Sequence, residues 1–139
     1  MQQQRFSEAY ALEHRQVQAL VRAVRAGVRA FAEWLRSEGW RAGTEPSDYR
    51  DILASRDGEW LYCEAKESAS EPGIDSDIGY GQLLRRMRQT DNRAARYALV
   101  IRDEPGSVRA ALRVNARVRD LLRITLYAVG TNGSVRELR

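Results

Sequence analysis

Three residues in this sequence have the types and spacing for hydrolytic chemistry: Asp51, Glu64 and Lys66. They flank Asp57-Gly58, a dipeptide that favours a two-residue type I′ turn between antiparallel strands. With those two as the loop, Arg56 faces Glu59, and counting outward sets Asp51 directly across from Glu64. Directly opposed residues share a sheet face with Cβ atoms about 4.5–5.5 Å apart, where like charges repel. Such a pair needs a cation between its members or must protonate one of them. The period of two puts Lys66, Tyr62 and Trp60 on the face of Glu64 and turns Leu61, Cys63 and Ala65 towards a core. Two carboxylates and an ammonium make a hard, oxygen-donor site that suits Mg²⁺ or Mn²⁺ better than zinc, with water and phosphate oxygens completing the shell. An ion there can activate water and offset charge on a phosphodiester. Lys66 is placed to position or deprotonate that water, or to stabilise charge building on the phosphorus oxygens.

Lys66 also stands out by composition. All but one of the 23 basic residues are arginine, and Lys66 is the exception. A GC-rich coding bias accounts for so many arginines as well as polyanion binding does, which makes the one retained lysine informative. Lysine is a compact point charge that can lose its proton when buried, and arginine is not. The net charge of +4 and pI near 9.6 fit a nucleic-acid binder, though modestly. A single cysteine, Cys63, excludes a disulfide framework and a multi-thiolate zinc site, and it suggests a reducing, cytoplasmic setting. The lone His14 leaves little material for a histidine-ligated metal or a Ser-His-Asp hydrolase. Met1 to Tyr10 hold no apolar h-region and no stretch approaches membrane-span length, so neither secretion nor membrane insertion is expected.

The elements that must position these residues are legible in outline. At 139 residues, 43% hydrophobic and 30% charged, the chain (1–139) reads as a single globular domain. Val17, Leu20, Val21, Val24, Val28, Phe31 and Leu35 give helical periodicity from Ser7, as N-cap, to about Glu38, with Gly39 as the stop. A short strand is expected around Trp40 to Ala42, then strands at Tyr49–Ser55 and Glu59–Lys66. Residues 67–73 (ESASEPG) read as a loop. A helix is expected from about Asp77 to Thr90, with Asp75 or Asp77 as its cap. The apolar run from Tyr97 to Ile101 reads as a strand covered on both faces, and so as part of a parallel sheet. Ser107 would cap a helix reaching Asp120, with Arg109, Arg113 and Arg117 in one solvated row. Strands follow at Ile124–Val129 and Ser134–Leu138. The order is α-β-β-β-α-β-α-β-β, an α/β mixed sheet with helices on both faces.

The segment from Asp51 to Lys66 resembles the signature of the PD-(D/E)XK nuclease superfamily, which includes restriction-endonuclease-like folds, archaeal Holliday junction resolvases and RecB-type exonucleases. That pattern is an acid opening one strand, a hairpin, and (D/E)-x-K closing the next, matched by Asp51, Glu64 and Lys66. Gly79-Tyr-Gly-Gln-Leu83 is similar to the helix motif of RecB-like members, which implies that Gln82 reaches the metal site. Two departures stand beside the match. The family's proline next to the first acid is missing, leaving Asp48 as a second candidate ligand, and the acid expected on the first helix has only Glu33 as its nearest counterpart. The resemblance implies a restriction-endonuclease-like fold and Mg²⁺- or Mn²⁺-dependent hydrolysis of DNA. A homodimer goes with it, and the small size without a separate DNA-reading domain suggests selectivity for structure or ends. Asp51 and Glu64 would be the metal ligands, and Lys66 and Gln82 would complete the catalytic set. Arg85 and Arg86, a turn past Gln82, would meet phosphates. Two rival readings stand beside this one: a nuclease fold that binds nucleic acid or assembles with partners without turnover, and a nuclease toxin or effector.

Overall fold

The computed structural model describes residues 2–44, 51–66, 72–87 and 95–139, and the side chains of these except at 2–6, 9, 16–26, 44, 51, 66 and 72. Helix α1 (Gln2–Ser37) leads to β1 (Arg41–Thr44), β2 (Asp51–Arg56) and β3 (Glu59–Lys66). Next come α2 (Pro72–Arg86), β4 (Ala95–Arg102), α3 (Pro105–Ala111), α4 (Ala116–Leu121), β5 (Ile124–Val129) and β6 (Val135–Leu138). The strands form one sheet in chain order from β1 to β6. β3, β4 and β5 run parallel, and the remaining neighbours are antiparallel. Parallel neighbours cannot be joined by a tight turn, so a crossover must carry the chain back. Helix α2 serves β3 and β4, and the α3–α4 pair serves β4 and β5.

The apolar run at Tyr97 to Ile101 becomes the middle of this sheet. Its side chains alternate between two cores, Ala98 and Val100 on one face and Tyr97, Leu99 and Ile101 on the other. Helix α1 covers the first face with Val28, Phe31, Ala32 and Leu35. Tyr80 and Leu83 of α2 and Ala111 of α3 close the second. Helices therefore lie on both faces, as the patterning implied. At the far edge, Arg136 of β6 grips Asp103, just past β4, with two parallel hydrogen bonds of 2.8 and 2.9 Å. This grip holds the Asp103 carboxyl below its usual pKa range.

Local boundaries differ from the expectations in physically explicable ways. Helix α1 begins at Gln2, so Ser7 is an exposed interior residue and not the cap. Gly39 (φ +89°) does end the helix, with the Trp40 amide donating to the Leu35 carbonyl at 3.0 Å. β1 starts one residue later than expected, at Arg41, and the expected start of β2 at Tyr49 lies outside the described residues. Helix α2 begins at Pro72, since proline fits a first turn whose N–H groups need no helical acceptor. Gly79 and Gly81 thus sit inside it, and Asp75 lies in its first turn. Of the loop expected at 67–73, Pro72 and Gly73 are helical and residues 67–71 lie outside the described residues, as does the helix end expected near Thr90.

The single helix expected from Ser107 to Asp120 is two. Asn115 leaves helical geometry (ψ 140°) and accepts a hydrogen bond from the Arg117 amide at 2.8 Å, starting α4 afresh. The row Arg109, Arg113, Arg117 is broken by this restart, although all three remain exposed. Ser107 is buried inside α3, which opens instead with Glu104 at the cap position and Pro105 after it.

The Tyr80 hydroxyl donates to the Ala111 carbonyl at 2.6 Å, tying α2 to α3. Burial pushes its pKa up to about 12, against a partial opposing pull from Arg119. The unfolded chain releases this proton near pH 10 and the folded chain holds it longer. The stabilisation is therefore complete below about pH 10 and is lost as pH rises towards about 12. Tyr80→Phe should lower stability by about 1 kcal/mol at pH 7 and flatten the fall in stability above pH 10. Urea unfolding across that pH range checks both outcomes.

Candidate active site

Asp57 and Gly58 have φ values of 50° and 80°, the left-handed pair of a type I′ turn. The register follows from it: Arg56 opposes Glu59, Ser55 opposes Trp60, Leu53 opposes Tyr62, and Asp51 opposes Glu64. The backbone pairing expected from the turn is the one observed, so Asp51 and Glu64 occupy facing positions on one side of the sheet. Lys66 closes the same strand. The side chains of Asp51 and Lys66, and the whole of Asp48, lie outside the described residues. Leu61, Cys63 and Ala65 are buried against α1, as the alternation required.

Glu64 is only 3% exposed, between Asp51 on β2 and Leu99 on β4. A carboxylate withdrawn from water this far needs compensating positive charge. Helix α2 supplies some of it, because Arg86 Nη1 lies 3.7 Å from Glu64 Oε2. Arg86 is therefore turned inward onto the acid. Arg85 is exposed, with its Nε donating back to the Gly81 carbonyl at 3.3 Å.

Gln82 is four residues before Arg86, and residues four apart lie on one helix face. Its Oε1 is buried and has no hydrogen-bond partner among the described residues. Asp75, seven residues earlier, extends the same stripe, and its Oδ2 is also buried without a hydrogen-bond partner. Beside this polar stripe runs the apolar one, Tyr80, Leu83 and Met87, that packs on the sheet. The role expected of Asp75 was a helix cap; its separation of about two turns from Gln82 was the overlooked signal.

These donors fit a hard cation. A buried carboxylate, a buried amide oxygen with no donor among the described residues and an acid at the facing strand position are all oxygen ligands. Among the described residues, no group of three His, Cys, Asp or Glu could hold a metal, so the set depends on Asp51. Glu33 is exposed on α1, the helix packed on the opposite face of the sheet.

No protein-family model matches the sequence, and no curated protein matches it. Solved structures do match. An XisH family protein from Nostoc punctiforme superposes with a TM-score of 0.55 at 14% identity, over 82% of this chain and 99% of the other. An fdxN element excision controlling factor protein from Anabaena variabilis superposes with a TM-score of 0.58 at 12% identity, over 82% and 98%. The chain shares their fold. That fold is the restriction-endonuclease-like mixed sheet implied by the hairpin motif. Among the described residues, no helix is long and apolar enough to cross a membrane.

Removing the guanidinium from a buried carboxylate should cost more than removing both charges. Arg86→Met is expected to lower the free energy of unfolding by about 2 kcal/mol, and adding Glu64→Gln should restore most of it. Urea unfolding of the two single variants and the double variant measures the coupling. Strictly additive losses would mean that the two groups do not interact.

Proposed function

We propose that this chain is a metal-dependent nuclease of the PD-(D/E)XK type that hydrolyses phosphodiester bonds in DNA, with selectivity for structure or ends. The reading is carried by the register that sets Asp51 opposite Glu64, with Lys66 two positions on in β3. It is supported by the buried amide oxygen of Gln82, which has no hydrogen-bond partner among the described residues. Asp51 and Glu64 would hold Mg²⁺ or Mn²⁺, with Gln82 adding a neutral oxygen. The bound ion supplies Lewis-acid stabilisation and lowers the pKa of water. Lys66 orients the attacking water or takes its proton, and its charge offsets that on the phosphorus oxygens. Arg85, exposed at the end of α2, meets phosphates, whereas Arg86, expected in the same role, is turned onto Glu64. A homodimer would set two such sites against two strands, in a reducing, cytoplasmic setting. The neighbour from Anabaena variabilis is an excision controlling factor, and excision of a DNA element is the biological role we attach to the reading.

One observation favours a second reading, a nuclease fold that binds nucleic acid or assembles with partners without cutting. Arg86 already neutralises Glu64 in part, which is the electrostatic work a metal would otherwise do.

Plasmid, single-stranded and branched DNA incubated with Mg²⁺, Mn²⁺ or EDTA separate the two. The nuclease reading expects cleavage in metal, none in EDTA, and a loss of about 100-fold or more in Lys66→Ala and Glu64→Gln. Lys66→Arg keeps the charge and should still be impaired. Metal binding itself should raise the thermal midpoint of the parent protein and not that of Glu64→Gln. Salt-sensitive DNA binding with no cleavage in either metal would favour the second reading.

A further inference from the structure

Among the described residues the sheet is unevenly covered, and the uncovered part lies on the side of the candidate site. Helix α2 packs over β3 and β4, and no described helix packs over the same face of β1 and β2. The registers fix what that open face presents. Arg41, Ser55 and Trp60 form one row across β1, β2 and β3, and Gly43, Leu53 and Tyr62 form the next. The third row holds Asp51 and Glu64. These rows cannot belong to the α1 side, because Ala42, Ala54 and Leu61 occupy the intervening positions and pack against that helix.

Trp60 is 37% exposed, unlike Trp40, which is 9% exposed. It and Arg41 line an open depression of about 360 Å³ at the turn end of the hairpin. Tyr62 is half-buried, its ring stacked on Tyr97 at 5.8 Å, and Gly43 next to it has nothing within 4 Å of where a Cβ would stand. A flat surface bearing an aromatic ring and an arginine, in a chain of net charge +4, matches the chemistry of unpaired nucleic acid: bases stack on the ring and phosphates meet the cation. Duplex offers no free base face to such a ring.

We infer that this open face is a track for a single-stranded nucleic-acid segment, with Trp60 as the stacking residue and Arg41 as the phosphate contact, leading to the Asp51–Glu64 site. The inference deepens the proposed nuclease function by naming the form of its substrate. Trp60 and Glu64 are four strand residues apart, about 13 Å, a span of about four stacked nucleotides at ~3.4 Å each. The track would thus hold the unpaired flank of a branch, flap or frayed end a few nucleotides from the bond cut.

The test reads binding in EDTA, where cleavage plays no part. An unlabelled oligothymidylate is titrated against the full chain by tryptophan fluorescence, with a blunt duplex of equal charge as the comparison. Trp60→Leu should weaken single-strand binding about tenfold and remove most of the quenching, while Trp60→Phe retains most of the affinity. Arg41→Ala should weaken binding several-fold and reduce the salt dependence by about one ion. Blunt-duplex binding should stay within about twofold of the parent in the Trp60 variants. Equal single-strand affinity in parent and Trp60→Leu would overturn the track, as would equal losses for Leu and Phe or parallel losses on duplex. Trp60-dependent binding without cleavage in any metal would uphold the track and defeat the nuclease reading, so the two failures are distinguishable.

Discussion

Two consecutive residues in the left-handed region, Asp57 and Gly58, determine the phase of the β2–β3 ribbon, and nearly everything of chemical interest depends on that phase. In a strand, a slip of one residue exchanges the two faces. Here it would drive Glu64 into the apolar layer under α1 and take Leu61, Cys63 and Ala65 out of that layer. The penalty for burying a charge among Phe31, Leu35 and Ile52 makes the alternative unfavourable. The core thus enforces the same pairing that the turn prefers, and the facing acids result from both.

Helix α2 performs two tasks with two stripes. Tyr80, Leu83 and Met87 bury apolar surface on the sheet, while Asp75, Gln82 and Arg86 present polar atoms alongside. The second stripe is costly, since the Asp75 and Gln82 oxygens are buried with no hydrogen-bond partner among the described residues, and such atoms oppose folding. Such groups persist where a fold is stabilised elsewhere, here by the two cores and by the Tyr80–Ala111 tie. The Arg86–Glu64 contact belongs to this balance, because a buried acid without a cation would destabilise the central sheet more than a paired one.

The hairpin register was legible because it is a local matter: one dipeptide with restricted backbone preferences and two flanking strands of alternating polarity. The central strand was legible from its unbroken apolar run. What escaped were features set at longer range or by competition between local signals. Pro72-Gly73 reads as loop chemistry, yet proline is also at home in a first helical turn, and packing of Tyr80 and Leu83 resolves the ambiguity. Asn115 reads as one more polar residue on a helix, but its side chain bonds to the backbone and restarts the helix. The burial of Glu64 and the exposure of Trp60 depend on where α2 comes to rest over the sheet, which no spacing within the hairpin encodes. The facing of Asp51 and Glu64 was readable, whereas Arg86, expected to meet phosphates, lies against Glu64.

Strand order in space matches strand order along the chain, with each strand paired to its neighbours in sequence. Residues 51 to 86 therefore contain the facing acids, the lysine and the helix that lies over them as one uninterrupted segment. During synthesis on the ribosome, that segment leaves the exit tunnel before β4, β5 and β6 have emerged. A nascent chain can close the β2–β3 ribbon early, since only short loops need forming. It must then shelter a half-covered apolar face until Leu99 and Leu126 arrive, and this interval is when the polypeptide is most exposed to aggregation.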